Sequence, residues 1–598
     1  MRPNLFLFLF LIPVTTPFAR SAQHDQWLTY YEKSGYERTP RYDETIAYCK
    51  RLAGASPWIR YTSFGASPQG RQLPLLILSR ERAFTPAKAA ATGKAVLLIQ
   101  SGIHAGEIDG KDASLMLMRD IAITREHATL LDSTILLFIP IFNVDGHERF
   151  GPHNRINQNG PVETGWRVNA QNLNLNRDYM KADTREMRAL LSLLALWLPD
   201  LYIDIHVTDG MDFQYDITYV METGPNVEPM IGTWITTALL SHVLPQIEAA
   251  GHKVFDYVAP REEGDPASGF EAGVIGPRLS TGYAAIQNRP GLLIETHSLK
   301  PYRTRVDAAY QMVRAVVEAV GRAPHALRSA VRRADLATIQ EGSFYRADNT
   351  LPLTFGVGKD SVARTFLGYV ARTEHSEVSG GERRVYTREP IEIRSSFFNT
   401  IVVRDSVSIP LAYLVPQEWS FVPEIMKLHS VHMERLVQPV TLDVESYRFS
   451  NEKFSATPYE GRQRMSYAME PLIERRSYPS GTVVIRTNQR AAKVAVHLLE
   501  PRSPDSFAAW GFFAAISEQK EGAESYVMEE IGRKMLEQDP LLLKEFEEEV
   551  RSDTSFSNDP EARLNWLYLR SPWSDPQLNI YPVGRLITDV PLKTQPLH

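Results

Sequence analysis

The fold of this 598-residue chain is decided by the stretch AVLLIQSGIHAGEIDGKDASLMLMRDIAIT, residues 95–124. The apolar run at 95–102 is typical of a strand buried on both faces of a sheet, whereas residues 110–124 have the apolar spacing of a helix. Runs of both kinds alternate along the chain, the apolar ones at 134–143, 201–206 and 291–297 and the helical ones at 185–198 and 232–251. Strands that alternate with helices predict an α/β fold with a parallel or mixed sheet.

Beyond about residue 324 the pattern changes. Segments rich in β-branched residues and turn signals predict strands at 384–396, 399–416 and 481–501, and a charged amphipathic stretch at 524–553 predicts a helical tail. We therefore expect four regions: a signal peptide at 1–22, an α/β domain at 25–325, a β-rich accessory domain at 331–502 and a helical C-terminal region at 503–598.

Composition excludes several classes of protein. The 65 basic and 71 acidic residues give a net charge of −6, which argues against a nucleic-acid partner because such proteins carry a basic surface. Cys49 is the single cysteine, so the chain can form neither an intrachain disulfide nor a cysteine-based zinc site. Any metal site must therefore use histidine, aspartate and glutamate.

The N-terminus has the pattern of a secretory signal peptide. Arg2 precedes an apolar run at 5–14, and small residues follow at 19, 21 and 22, so cleavage is expected near 19–22. The run is too short to span a bilayer, and an uncleaved anchor or a buried N-terminal helix is the alternative. No later stretch reaches about 18 uninterrupted apolar residues, so we expect an exported protein, periplasmic or secreted, with no other membrane span.

Three side chains form a candidate metal site. His104 and Glu107 lie three residues apart where the first strand ends, although roughly one His-x-x-Glu is expected by chance, and His497 with Glu500 is a second instance. His206 ends the strand at 201–206, and the carboxyl ends of neighbouring parallel strands meet at one edge of the sheet. Two histidines and one glutamate are a zinc ligand set with an open fourth position.

Glu295 lies within the apolar strand at 291–297. A carboxylate there is costly unless it is paired or has a function. Partial desolvation raises a carboxyl pKa towards the working pH, which suits a general base. A buried ion pair is the alternative explanation for Glu295, and His297, on the same side, is expected to have a supporting role.

A cluster of polar residues at 166–177 suits an anion. Asn176 and Arg177 follow the pair Trp166 and Arg167, and guanidinium groups bind carboxylates in a bidentate manner. An arginine directed at a carbonyl group can also stabilise a tetrahedral oxyanion. For any single arginine here, a surface salt bridge is the alternative.

These motifs occur in the order found in the zinc carboxypeptidase family, which the chain resembles over roughly residues 40–320. The matching positions are His104, Glu107, Asn176, Arg177, His206 and Glu295, with supporting segments at 142–146 and 185–190. The resemblance implies an α/β/α sandwich around a mixed, mainly parallel eight-stranded sheet. It also implies one zinc ion per catalytic domain.

The resemblance also assigns roles to individual residues. His104, Glu107 and His206 would bind zinc, and Glu295 would be the general base and then the proton donor. Asn176 and Arg177 would hold the terminal carboxylate of the substrate. Arg167, or alternatively Arg155, would stabilise the oxyanion. Tyr283 would be the active-site tyrosine that contacts the substrate. Asn174 stands where many members have an aspartate that orients a zinc-bound histidine, and Asp204 lies on the same face of its strand as His206.

The expected activity is zinc-dependent hydrolysis of peptide bonds, with release of C-terminal residues from peptide substrates. One alternative keeps the fold and metal but makes the protein an amidase or endopeptidase of cell-wall peptides, or a deacylase of small amides. Another is a binding protein that has lost catalysis. The sequence leaves the side-chain preference and the oligomeric state open.

Overall fold

The structure is a computed structural model that describes residues 25–597, so the predicted signal peptide at 1–22 lies outside the described residues and export stays a prediction. The chain divides into two compact units. The first contains the residues up to Leu411, Ser420–Met433 and Ile485–Ser506, and the second contains Ala412–Trp419, Glu434–Val484 and the residues from Phe507 onward.

The strands before residue 300 are β1 Ile59–Ala66, β2 Gln72–Leu78, β3 Ala95–Ser101, β4 Thr134–Ile139, β5 Leu201–Thr208, β6 Ile217–Met221, β7 Val254–Asp256, β8 Ala259–Glu262, β9 Asp265–Glu271 and β10 Gly291–His297. The later strands are β11 Thr350–Val357, β12 Val362–His375, β13 Glu382–Phe398, β14 Ile401–Ser408, β15 Ala412–Val415, β16 Glu434–Leu436, β17 Val440–Phe454, β18 Met465–Tyr478, β19 Val483–Arg486, β20 Gly584–Leu586 and β21 Thr594–Pro596.

The helices up to residue 341 are α1 Tyr30–Lys33, α2 Tyr42–Ala55, α3 Pro86–Thr92, α4 Asp109–Ala122, α5 Val144–Glu148, α6 Arg185–Trp197, α7 Pro229–Trp234, α8 Ser241–Ala249, α9 Ser280–Ile286, α10 Tyr302–Arg322 and α11 Pro324–Glu341. The later helices are α12 Phe421–Leu428, α13 Ala492–Leu499, α14 Ser525–Gln538, α15 Pro540–Ser552, α16 Thr554–Ser557 and α17 Pro560–Leu569. No helix among the described residues is long and apolar enough to cross a membrane.

The central feature of the first unit is an eight-stranded mixed sheet, as predicted. Its strand order is β1-β2-β4-β3-β5-β10-β6-β7. The neighbours β4, β3, β5 and β10 run parallel, whereas β1, β2 and β6 introduce antiparallel pairs. Because β3, β5 and β10 are adjacent and parallel, their carboxyl ends meet at one edge of the sheet.

Helices cover both faces of this sheet. Alternate residues of a strand point to opposite faces, and in β2 Leu76 and Leu78 belong to the main core, which also contains the apolar sides of α4, α10 and α11. Leu73 belongs to a second cluster, in which Ala189 of α6 packs against it. The predicted α/β/α sandwich is therefore confirmed, and the long apolar runs of the sequence reflect burial on both faces.

One prediction of local structure is confirmed with an irregularity, and another needs correction. The helix expected at 232–251 forms as an uninterrupted run of α7, a π-helical segment at Ile235–Leu240 and α8, which contains Pro245. Residues 481–501, expected to be strands, form the short β19 and then the helix α13. All residues of α13 are buried except Lys493, and in such an apolar segment periodicity does not distinguish a helix from a strand.

Smaller sheets follow the central one. The order β12-β13-β9-β8 forms a four-stranded sheet and β11-β14 a two-stranded sheet, and seven strands pair in the order β18-β17-β20-β15-β19-β16-β21. The helices α14–α17 agree with the helical tail expected from the sequence. The predicted β-rich region at 331–502 is shared between the two compact units, and its assignment as a separate accessory domain stays a prediction.

Candidate active site

The parallel strands β3, β5 and β10 bring the predicted catalytic side chains to one edge of the sheet. In the pairing of β5 with β10, Glu295 lies directly opposite His206. A tight turn after β3 places Glu107 beside His104, and the Glu107 N–H donates to the carbonyl oxygen of His104 at 2.9 Å. Gly106 is required in this turn, because a Cβ there would lie 2.7 Å from the Arg155 side chain.

The three predicted metal ligands converge on one point. Glu107 Oε2 lies 3.1 Å from Nδ1 of both His104 and His206, and the two Nδ1 atoms are 3.2 Å apart. All three side chains are buried, and their donor atoms are close enough together to hold one metal ion. Two imidazole nitrogens and one carboxylate oxygen suit zinc, so these residues fit the metal that the sequence implied.

Each histidine is oriented through its other ring nitrogen. Nε2 of His104 lies 3.1 Å from Asn174 Oδ1, and Nε2 of His206 lies 2.8 Å from Asp204 Oδ2. These contacts leave both Nδ1 atoms directed at the point where the three ligands converge. At metal sites, the hydrogen bond that a histidine makes through its other ring nitrogen commonly orients the ring in this way. Burial lowers the pKa of His104 to about 4. Burial also acts to lower the pKa of His206, but Asp204, Glu107 and Glu295 together hold it well above its usual range.

Asp204 therefore supplies the negative charge that Asn174 does not. We expect Asp204→Asn to weaken zinc binding by about 10–100-fold, because the imidazole of His206 loses a charged partner. The affinity is measured by competition with a chromophoric chelator, and Asp348→Asn, which changes an exposed carboxylate, is the control. Equal zinc affinity in the Asp204→Asn variant and the unaltered protein would contradict this role.

Glu295 is placed as a general base requires. It is 8% exposed, and among the described residues its Oε2 has no hydrogen-bond partner. Burial raises the pKa of Glu295; the His206 charge opposes this rise, and the Glu107 and Asp204 charges add to it. Although burial also opposes ionisation of Glu107, His104, His206 and Arg155 hold the pKa of Glu107 well below its usual range. The two carboxylates are thus pushed towards different roles.

Both arginines predicted for the oxyanion reach the metal-site glutamate. Nη1 of Arg167 lies 2.8 Å from Glu107 Oε1, and Nη1 of Arg155 lies 3.1 Å from the same atom. Arg155 is 9% exposed and is held further by Gln158 and Asp209, whereas the side chain of Arg167 is 38% exposed. The structure brings both candidates to the site and keeps Arg167 the more accessible to a substrate.

The predicted carboxylate-binding pair is linked to the metal ligands. Asn174 Oδ1, which contacts His104, also accepts a hydrogen bond from the backbone N–H of Asn176 at 2.9 Å. The Asn176 side-chain oxygen accepts from the N–H of Ser280 at 3.0 Å, and Arg177 Nη1 donates to the Asn176 carbonyl oxygen at 2.7 Å. One continuous network therefore joins the metal site to this pair.

The structure does not bring Tyr283 to this site. Its side chain is buried in α9, where its hydroxyl lies 2.9 Å from His429 Nδ1 and accepts from Gln287 Nε2 at 2.7 Å. Its ring packs on Tyr179, 5.5 Å between centroids. The expectation that Tyr283 faces the substrate is corrected, because its hydroxyl is already engaged in the interior.

Sequence reasoning missed Tyr257, which follows β7 and is 40% exposed. The charge of Glu295 is the largest cause that raises the Tyr257 pKa to about 12, and the hydroxyl hydrogen-bonds to Thr208, two residues after His206. A tyrosine in the segment FDYVAP has no local signal that separates it from the other tyrosines of the chain. Its position became evident only from the strand order, which places β7 beside β6, the neighbour of β10.

Comparison with known proteins agrees with this geometry. Residues 45–211 match the family model described as zinc carboxypeptidase. Carboxypeptidase 2 of Trichophyton rubrum is 24% identical over 492 residues, which cover 79% of this chain and 84% of the relative. Probable carboxypeptidase 2 of Arthroderma benhamiae is 24% identical over 490 residues, covering 78% and 85%. The family match confirms the resemblance found in the sequence over residues 45–211.

Solved structures give a more distant similarity. A metallo-carboxypeptidase from Pseudomonas aeruginosa, in complex with (2-guanidinoethylmercapto)succinic acid, is 17% identical with a TM-score of 0.35, covering 48% of this chain and 70% of that one. Carboxypeptidase A from Helicoverpa armigera is also 17% identical with a TM-score of 0.35, covering 50% and 75%. The assignment therefore rests on the sequence match and not on these structures.

Proposed function

We propose that the protein releases C-terminal residues from peptides by zinc-dependent hydrolysis, because residues 45–211 match the family model described as zinc carboxypeptidase. The observation that carries the proposal is the convergence of the His104, Glu107 and His206 donors beside a buried carboxylate, Glu295. Glu295 lies outside the matched range, so its role is argued from its position and electrostatics alone.

The residues would share the reaction as follows. His104, Glu107 and His206 would hold the zinc ion, which when bound supplies a Lewis acid that polarises a carbonyl group and acidifies water. Glu295 takes a proton from the attacking water and returns it to the leaving nitrogen. Its raised pKa suits both steps, because the group is basic enough to accept the proton and acidic enough to release it.

Arginine and asparagine side chains would hold the substrate. A guanidinium group that contacts Glu107, from Arg167 or Arg155, lies where it can stabilise the negative charge that develops on the carbonyl oxygen. Arg177 with Asn176 would bind the terminal carboxylate, because a guanidinium group forms two parallel hydrogen bonds to that anion. Such a clamp selects the last residue of a peptide and so makes the activity that of an exopeptidase.

Matched peptides with a free or an amidated C-terminus test this proposal. We expect kcat/KM for the free peptide to exceed that for the amide by on the order of 100-fold, since a hydrogen-bonded ion pair contributes about 1.5–3 kcal/mol. The rates are measured by chromatography of the released residue, and Arg177→Gln should remove most of the difference. If both peptides are cut equally well, the exopeptidase proposal fails and an amidase or endopeptidase of the same fold is favoured.

A further inference from the structure

The loop at 272–279, which joins β9 to α9, ends at a residue of the substrate site. Ser280 begins α9 and donates its backbone N–H to the side-chain oxygen of Asn176 at 3.0 Å. At the middle of the loop, the Ile275 N–H donates to Glu222 Oε1 at 2.8 Å. The position of this loop therefore decides how the Asn176 side chain is presented.

A carboxylate from a distant part of the chain holds the end of the loop that leads into Ser280. Asp505 is 1% exposed and lies 227 residues beyond Arg278 in sequence. Its Oδ2 accepts from the backbone N–H of Arg278 at 3.2 Å, and its Oδ1 lies 2.7 Å from Nε of the same arginine. Asp505 thus engages one loop residue twice, by a hydrogen bond from its backbone N–H, which a charged acceptor strengthens, and by an ion pair with its side chain.

Packing holds only part of the loop. Ile275 and Gly276 lie against Gly282 of α9, where an added Cβ would come within 2.4 Å of both carbonyl oxygens. A cavity of about 770 Å³ is lined by Gly276, Pro277 and Arg278 of the loop and by Pro504 and Asp505. Residues that border such a space lack close contacts on that side, so the contacts with Asp505 add to those that fix this end of the loop.

We propose that Asp505 is a positioning residue, which fixes the 272–279 loop so that Ser280 holds Asn176 ready for the substrate's terminal carboxylate. The inference rests on the proposed function for the identity of the ligand, but not for the contacts themselves. Asp505 belongs to the segment Ile485–Ser506, which lies outside residues 45–211 but inside the first compact unit. Through Asp505, part of the C-terminal half of the chain takes part in substrate binding.

Steady-state kinetics test the consequence for binding. In Asp505→Asn and in Arg278→Gln we expect KM for a peptide with a free C-terminus to rise about 10-fold, equivalent to about 1.4 kcal/mol, with kcat within about twofold. The double variant should match Asp505→Asn, because both changes remove the same ion pair. Arg278 is partly exposed, so its variant remains informative if Asp505→Asn folds poorly, and Arg346→Gln, which breaks an exposed arginine–aspartate pair, is the control.

Amide hydrogen exchange of the full-length protein tests the loop itself. The Ser280 N–H should exchange about 10-fold faster in both variants, while the amides of 104–107 keep their protection. An unchanged exchange rate at Ser280, or faster exchange with an unchanged KM, would overturn the positioning role. If the unaltered protein cleaves no peptide, the proposed function fails, and the exchange rates still decide whether Asp505 holds the loop.

Discussion

The Glu295→Gln variant should lose about 10²–10⁴-fold in kcat while it binds zinc as tightly as the unaltered protein. An amide has nearly the size of the carboxylate but cannot accept the proton of the attacking water. The side chain is not one of the three groups whose donor atoms converge, so metal binding should survive. Steady-state rates and the zinc content of the same preparations measure the two properties separately.

A matched control shows whether any buried glutamate would give this result. Glu186 is also buried, its Oε2 has no hydrogen-bond partner among the described residues, and burial raises its pKa to about 7. Glu186→Gln should leave kcat within about twofold, because this carboxyl group lies outside the catalytic set. Retention of full activity by Glu295→Gln would remove Glu295 as the proposed base.

Removal of a ligand should have an effect at least as large. His104→Ala deletes one of three buried donors, and the variant is expected to lose zinc on dialysis and to fall at least about 10³-fold in kcat, because Lewis-acid stabilisation amounts to several kcal/mol. Elemental analysis gives the zinc-to-protein ratio, and circular dichroism shows whether the variant is folded.

The second His-x-x-Glu of the chain is the natural control for ligand removal. His497 lies in α13 with its Nδ1 3.2 Å from Ser503 Oγ, and it is not part of the converging cluster. His497→Gln should retain one zinc ion per chain. A His104→Ala variant that keeps its zinc would show that the metal is bound elsewhere.

The metal ligands and the base could be predicted because they lie at the ends of recognisable strands. His104, His206 and Glu295 each end or follow an apolar run, and parallel strands bring such positions to one edge of the sheet. The fold was predictable for the same reason, since long apolar runs separated by helical segments leave few arrangements other than a covered sheet.

The sequence did not predict the parts of the site that depend on loops or on contacts between residues far apart in the chain. Tyr283 was the tyrosine nearest to Glu295 in the expected region, but helix α9 turns it into the interior, whereas Tyr257 reaches the site from the end of β7. The contact between Asp505 and Arg278 has no local signal, because it joins positions 227 residues apart. Tertiary contacts position such loops, and the spacing of apolar residues along the sequence does not reveal these contacts.

The most direct test of the account is a zinc titration of metal-free protein, followed by release of the C-terminal residue from a peptide with a free carboxylate. We predict that activity is absent without metal, rises in proportion to added zinc and stops rising at one ion per chain. Hydrolysis that persists in the metal-free protein, or zinc-saturated protein that releases no C-terminal residue, would contradict the assignment of His104, Glu107 and His206 as the centre of a zinc carboxypeptidase.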